Sequence, residues 1–387
     1  MKPFDVAIVG AGPAGSSAAI SLSRWGYSVV LLDKEWFPRE KLCGDFLNPI
    51  NWPLLRELGA AERILSREHT KVTTFRLTGF LGEEAEARLA ARDGEAVFGL
   101  GLRRSSLDHA LLEKAASENV AIWQGAKPGA LKRDAQGWLL RVKRNGIVEE
   151  LHARMLIGAD GRNSWVAHRL GMAGVTAPAG ASIGFQLRLQ SSEPPAGRVE
   201  IHLFPGGYAG IVGIGGNALS LCCAIAKDRL RHHDSLGSLL QMDLPQNPCL
   251  AHLLHRSQRM GEIRSTYPVY FPPRRAYADR VLLAGDAARV HEPVTGEGIY
   301  FALKSGMIAA ESTDVAFRRG DCSAAQLSSY ARARRNTFCG RLSVNSMLRF
   351  LMHHPALLAP IIRFSAKRRQ LLKSTVQFVC APDTGSR

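Results

Sequence analysis

The sequence predicts an α/β (α+β) fold: a Rossmann-like parallel domain, interrupted by a mostly antiparallel β-sheet domain and followed by a helical C-terminal segment. Three observations predict it. The chain opens with an apolar run, a G-x-G-x-x-G turn, a small-residue helical pattern and a second apolar run that ends in an acid. Four strand-like runs separated by glycine turns lie at 183–225. From Phe317 onward, arginines and lysines interleave with apolar residues, as in a basic, apolar-faced tail.

The opening is a complete β-α-β unit. Phe4 to Val9 is the first strand; Gly10, Gly12 and Gly15 follow in G-x-G-x-x-G; Pro13 and Ala14 begin a helix that runs to about Trp25; Tyr27 to Leu32 leads to Asp33 and Lys34. The glycines differ in what they allow. Gly10 permits the tight turn, Gly12 lets a pyrophosphate approach the backbone, and Gly15 lets the helix pack close to the sheet. The helix N-terminus offers unpaired N–H groups and a partial positive charge to phosphates. Asp33 is placed to accept hydrogen bonds from the ribose hydroxyls of an adenosine without a 2′-phosphate.

The remaining elements follow in order. A loop from Glu35 to Asp45 precedes a helical stretch near Pro53 to Ser66. Alternation between Thr70 and Leu89 suggests strands. Leu107, Ala110, Leu111, Leu112 and Ala115 make Arg104 to Glu118 an amphipathic helix. Trp138 to Val142 and Ile147 to Leu151 form a hairpin about Asn145-Gly146, and Met155 to Ala159 is a further buried strand. Ile183 to Leu189, Val199 to Phe204, Tyr208 to Ile214 and Leu219 to Ile225 are antiparallel strands turned by Gly206-Gly207 and Gly215-Gly216-Asn217. Val281 to Ala284 feeds a glycine-rich turn and a helix reaching about Phe317. The expected domains are 1–69, 98–175 and 271–316 for the nucleotide, 70–97 and 176–270 for a substrate-binding sheet, and 317–387 for the basic helical segment.

Bulk composition narrows the classes. The 387 residues, 46% hydrophobic and 22% charged, suit a folded protein of more than one lobe. No apolar run is long enough to span a membrane, and the N-terminus is not a secretory signal. The seven cysteines, in no metal-like spacing, read as reduced thiols of a cytoplasmic protein. The net charge of +16 is concentrated between Phe317 and Ser374, where twelve Lys/Arg face the single acid Asp321. This segment reads either as a solvated helical face covering the core, or as an element that caps a greasy opening or associates peripherally with an anionic membrane. With no recognised motif beside the charge, no nucleic acid is expected as a partner.

Two further glycine–acid signatures end predicted strands, at Gly158-Ala159-Asp160-Gly161 and at Gly285-Asp286. Together with the opening motif they resemble the three fingerprints of FAD-dependent oxidoreductases of the para-hydroxybenzoate hydroxylase superfamily. The resemblance reaches Ser312 and implies bound FAD. It places Asp286 on the ribityl chain, Arg104 near the FAD phosphates, and the Asp160-Gly161 turn between FAD and the docking region of NADH or NADPH. Within the superfamily, the chain is most similar to the geranylgeranyl reductase family through the loop from Pro38 to Gly44, which includes Arg39 and Cys43, through Gly206-Gly207-Tyr208, and through Pro293-Val294-Thr295-Gly296-Glu297-Gly298-Ile299. It departs from that family at Asp45, where a second glycine is usual, and after Tyr208, where the family's Trp and Phe-Pro are missing.

The resemblance implies an enzyme that accepts hydride from NAD(P)H and acts on a hydrophobic substrate of isoprenoid, lipid or polyketide type. Reduction of a carbon–carbon double bond is the leading expectation. O₂-dependent hydroxylation of an activated ring is the alternative, and a non-catalytic flavin-binding protein at a membrane surface is the reading from another class. Cys43 is the candidate proton donor beside the flavin ring, and the alternative is a small buried hydrophobe. His291 is a candidate acid or base. Tyr208 is a candidate donor to a substrate oxygen, against simple core packing. Glu297 is expected to anchor its turn, and Gly296 and Gly298 to aim a helix N-terminus at the pyrimidine side of the flavin.

Overall fold

The computed structural model describes residues 3–91, 97–174, 181–233, 235–352, 354, 357–358, 360–362, 364 and 369–381. The domain boundary drawn at 175/176 and the last residues of the basic segment lie outside them, as do Arg363, Lys367 and Arg368.

The first sheet has eight strands. Phe4–Val9 is central, parallel to Val29–Leu32 on one side and to the end of Ile147–Gly158 on the other. Val281–Leu283 and Ala121–Trp123 extend the parallel set outward. These strands read as unbroken apolar runs because helices cover both faces; Val6, Ile8, Leu31, Ile157 and Leu282 have no exposed surface. The helices Pro13–Arg24, Arg104–Ser117 and Gly298–Arg318 share the core with them.

The hairpin forms as its turn residues dictate. Asn145 (φ 51°) and Gly146 (φ 79°) both take positive φ, which matches the right-handed twist of a two-residue turn. Its second strand does not stop at Leu151. It continues to Gly158 as one strand of 12 residues, solvated and antiparallel at the start, buried and parallel at the end. The two strands expected at Ile147–Leu151 and Met155–Ala159 are therefore a single element whose surroundings change midway.

The second sheet has seven strands. Ser182–Ser191, Arg198–Phe204, Gly207–Gly213 and Ala218–Ala226 form an antiparallel set, joined by Ser257–Thr266 at one edge. At the other side Thr74–Thr78 runs parallel to Arg198–Phe204 and pairs with Glu84–Arg88. The helices Leu236–Asp243 and Pro248–His255 pack a second core on this sheet.

The C-terminal segment is helical over Ala324–Met352 and Arg369–Cys380. Of the readings open for it, covering the core applies to its inner face: Leu372, Val376 and Cys380 are buried against Val72, Ala87 and Val199. No described helix is long and apolar enough to cross a membrane. The described residues hold no cluster suited to a metal ion, and all seven cysteines are free.

Candidate active site

A cavity of about 840 Å³ begins where the parallel strands end and runs to the inner face of the second sheet. Gly10, Gly12, Asp33 and Arg39 line one end, and Phe75, Ile201, Tyr208 and Val376 the other. Ligands of open parallel sheets sit beyond the carboxyl ends of the strands.

The three opening glycines differ in what surrounds them. Gly10 has φ 102°, and a Cβ there would lie 2.5 Å from the Ala159 carbonyl oxygen. At Gly15 a Cβ would stand 1.9 Å from the Gly10 oxygen, whereas at Gly12 it would meet only Arg39 Nη2, at 3.6 Å, with open space beyond. The first and third are thus required by the fold, and the second by whatever fills the cavity. Pro13 occupies the first helical turn with Ala14 behind it. Buried Asp33 is held by two backbone donors: Ala11 N–H to Oδ2 at 2.9 Å and Glu35 N–H to Oδ1 at 3.0 Å. Lys34 extends to the rim, 3.7 Å from Glu35.

Two arginines converge on one carboxylate that sequence reasoning passed over. Arg104 grips Asp108 with Nε at 3.1 Å and Nη2 at 2.9 and 3.0 Å. Arg39 Nη1 donates to the same group at 3.1 Å, and its Nη2 lies 3.4 Å from Asp33 Oδ2. Asp108 is fully buried, so one negative charge orients two positive ones beside the helix N-terminus. Its signal was in plain view as the last residue of Arg104-Ser-Ser-Leu-Asp108.

Midway, Asp160 lines the cavity with its carboxylate engaged by its own chain. It accepts from Ser164 Oγ at 2.5 Å and Val166 N–H at 3.1 Å, and so caps the short helix Trp165–Arg169. Burial holds its pKa above the ordinary value against those bonds. Gly161 follows at φ 81°. Lys41, another residue not singled out, reaches to within 4.0 Å of Asp286, which follows Gly285.

The second glycine turn is a 3₁₀ turn, Pro293–Thr295, closed by Gly296 in the left-handed region at φ 64°. Glu297 precedes the helix that begins at Gly298 and Ile299. A Cβ at Gly298 would have no neighbour within 4 Å. This helix is locked to the first one at Gly306, where a Cβ would stand 2.1 Å from Ala14 O. Ser17 Oγ bridges the crossing, 3.0 Å from Ala14 O and 2.9 Å from Leu303 O. Both helix N-termini therefore address the cavity in a fixed relation.

The far end holds the reactive candidates. Burial pushes the Cys43 thiol up from its ordinary pKa, while Arg104, which donates to its sulfur, opposes the shift. Asp45, where the resembling family has glycine, sits at φ 56° and is fully buried. It accepts from Arg104 N–H at 2.9 Å and Gln186 Nε2 at 2.8 Å and pairs with Arg188. Gln186 Nε2 also donates to Cys43 O at 2.6 Å, and Gly44 lies between these two anchored residues.

Tyr208 and His291 are both engaged by their surroundings. The Tyr208 hydroxyl donates to Glu292 Oε1 at 2.7 Å, so its proton is engaged and the oxygen meets a ligand as an acceptor. Burial, with Arg289 and Arg334 nearby, holds the His291 imidazole well below its ordinary pKa, so the ring is uncharged at neutral pH and only weakly basic. It stacks on Phe301 at 3.9 Å, and its buried Nδ1 has no protein partner. Glu292 and Gln186 carried no motif and were not anticipated, whereas the helix Arg369–Cys380 falls within the segment expected to be helical.

These features fit an elongated dinucleotide. Two helix N-termini suit a diphosphate and the pyrimidine end of a flavin; Asp33 suits a ribose; the open space over Gly12 and Gly298 admits backbone-close groups. Comparison with known proteins agrees. Residues 3–207 and 251–339 match the FAD binding domain family. The digeranylgeranylglycerophospholipid reductase of Methanothrix thermoacetophila is 30% identical over 352 residues, covering 85% of this chain and 82% of that protein. The menaquinone reductase of Mycobacterium tuberculosis is 28% identical over 326 residues, 80% of this chain and 76% of its own. The solved structure of the flavin-dependent brominase Bmp2 covers 98% of this chain and 94% of its own with a TM-score of 0.80; at 20% identity that likeness is one of fold. The chain belongs to the FAD binding domain family and is an FAD-dependent oxidoreductase, of the geranylgeranyl-reductase-like kind.

Proposed function

We propose that the protein reduces a carbon–carbon double bond in a hydrophobic, isoprenoid-like substrate, with NADH or NADPH as the electron donor. The observation that carries this reading is the contrast between the cavity's two ends. The dinucleotide end is charged and rich in backbone donors. The far end is walled by Phe75, Leu77, Val199, Ile201, Val269 and Val376, and the polar side chains among them, Cys43, Cys222, Tyr208, Ser265, Thr266, His291 and Thr375, carry no formal charge. Such a wall binds a chain of methyl and methylene groups by removing them from water. Relatives named for reducing an isoprenoid lipid and a quinone support the substrate class.

When bound and reduced, FAD supplies a hydride equivalent. Saturating a double bond also needs a proton on the neighbouring carbon. Cys43 Sγ holds one at neutral pH, because burial raises its pKa, and the adjacent Arg104 stabilises the thiolate left after transfer. Asp45 and Gln186 fix the backbone on either side of Gly44 and so set the direction of that thiol. Tyr208 offers a lone pair to a polar substrate headgroup. The apolar far wall excludes water from the reacting carbons.

The experiment is anaerobic. The FAD-loaded protein is reduced with NAD(P)H and mixed with polyprenyl lipids and prenylated quinones. Return of the oxidised flavin spectrum together with a product two mass units heavier supports the proposal. Reoxidation that needs O₂ and places an oxygen atom in the product overturns it in favour of hydroxylation.

A further inference from the structure

We infer that a second, smaller pocket beside the cavity holds a phosphate group of the nicotinamide dinucleotide donor, through Arg103, Arg188 and Arg264. The inference deepens the proposal that NADH or NADPH reduces the protein, and it rests on that proposal.

The pocket encloses about 270 Å³, and Glu40, Arg103, Arg188, Met260, Gly261 and Arg264 line it. Three separate elements bring the arginines together. Arg103 is the N-cap of Arg104–Ser117, Arg188 lies on Ser182–Ser191, and Arg264 lies on the edge strand Ser257–Thr266.

An irregularity in the edge strand shapes the pocket. Gln186 is paired with Arg264 and Arg188 with Met260, so residues 261–263 all stand opposite Leu187. Such a bulge bends a strand and re-aims its side chains, and bulges gather beside active sites. Gly261 sits in it at φ 71°, where a Cβ would meet nothing within 4 Å. The glycine answers the backbone conformation and not a lack of room.

Two of the guanidinium groups already converge on one anionic oxygen. Glu40 Oε2 accepts from Arg264 Nη1 at 2.7 Å and from Arg188 Nη2 at 3.4 Å, while Oε1 accepts from Ser105 Oγ at 3.1 Å. Buried Asp45 also pairs with Arg188. Arg103 has no such partner: its buried Nε is without a hydrogen bond among the described residues, and it forms no ion pair there. Three guanidinium groups thus share two carboxylates. One positive charge is left over, on a fork of the shape that matches phosphate oxygens.

Position selects the ligand. Glu40 lines both this pocket and the main cavity, and stands three residues before Cys43. The chain has a single G-x-G-x-x-G unit, which the FAD site takes, so the phosphates of a dinucleotide that comes and goes fall to side chains. The pocket is smaller than the roughly 300–1,000 Å³ of sites that enclose a whole ligand, and suits one part of a dinucleotide. The apolar wall lies elsewhere. Ile201 and Phe75 stand on Arg198–Phe204 and Thr74–Thr78, with two strands between them and Ser182–Ser191. The phosphate is therefore assigned to the donor and not to a headgroup of the apolar substrate.

The test uses the oxidised, FAD-loaded protein and two redox-inert analogues that lack the nicotinamide. ADP-ribose carries the bridging diphosphate, and 2′-phospho-ADP-ribose adds the 2′-phosphate. By calorimetry at least one should bind, and more weakly as salt rises. Preference for the second names the 2′-phosphate as the group held; equal affinity names the diphosphate. Arg103→Gln and Arg264→Gln should each weaken binding about tenfold or more, with the flavin absorbance and melting temperature of the parent. Glu40→Gln, which frees Arg188 and Arg264, should act in the opposite direction and tighten binding about threefold or more. If neither arginine variant folds, Glu40→Gln decides alone, and unchanged or weaker binding overturns the inference. So does the absence of binding to the parent, undiminished binding by both folded arginine variants, or tighter binding of glycerol phosphate than of either analogue. Anaerobic reduction separates this inference from the donor proposal. Reduction of the parent with the same half-saturating NAD(P)H concentration in the arginine variants overturns the pocket alone; no reduction of the parent by either nucleotide overturns both.

Discussion

Arg341 and Glu297 meet in an ion pair of 2.6 Å across 44 residues of chain, and neither side chain is more than 2% exposed. Glu297 stands between the two glycines of the second glycine turn. The same guanidinium donates to Phe378 O at 3.3 Å and to Ala381 O, at the end of the helix that walls the cavity. One side chain thus ties the turn facing the cofactor to the last described helix.

Removing one partner leaves a buried charge unanswered. Arg341→Met should cost about 3–5 kcal/mol of folding stability, read by chemical denaturation, and should release FAD during gel filtration. Arg341→Met/Glu297→Gln, which removes both charges, should recover most of that loss.

Gly12 and Gly15 should separate binding from folding. Gly15→Ala forces a methyl group into the Gly10 carbonyl and should lower the melting temperature of the apoprotein, at a cost of about 1–3 kcal/mol or more. Gly12→Ala meets only ordinary contact with Arg39 and should leave that temperature unchanged, while weakening FAD by roughly tenfold or more, about 1.4 kcal/mol. Flavin titration and thermal unfolding of each variant check both statements.

Glu292 should make stability depend on pH. Burial holds its carboxyl above the ordinary 4.5, against the Tyr208 hydrogen bond and the charge of Arg349. The folded protein therefore keeps the proton to a higher pH than the unfolded chain, and this contribution to stability declines as pH rises from 4.5 through the folded value. Glu292→Gln should remove the decline, so the difference in unfolding free energy between variant and parent should grow across that window and then level off.

Asp45 pits strain against pairing. Its φ of 56° costs a non-glycine residue about 1–2 kcal/mol, yet its carboxylate answers Arg188, Gln186 and the Arg104 N–H. Breaking a buried pair costs about 3–5 kcal/mol, so Asp45→Gly should destabilise on balance by a few kcal/mol. It should also free the loop, making Cys43 react faster with a maleimide than in the parent.

What could be read in the chain was what is local. The opening β-α-β unit, the Asn145-Gly146 hairpin and the Gly296 turn rest on spacings of a few residues, and the structure forms each of them. The parallel pairing of Thr74–Thr78 with Arg198–Phe204 joins strands more than a hundred residues apart, and no pattern within either announces the other. Ile147–Gly158 was divided in reading because its exposure changes along its length. At the site, the glycines were legible as backbone requirements, but Gln186, Glu292 and Arg341 act through partners far along the chain. The basic tail showed its charge plainly, while the seating of Leu372 and Val376 in the cavity wall depends on a sheet that the tail's own sequence does not encode.

The helix Arg369–Cys380 supplies Leu372, Val376 and Cys380 to the chamber around the cofactor. On the ribosome these residues are made after every other part of that chamber, when the glycine turns have already emerged. A nascent chain therefore presents the far end of the cavity with one side missing. That side is the last to be added, and Arg341 clasps it through Phe378 O and Ala381 O.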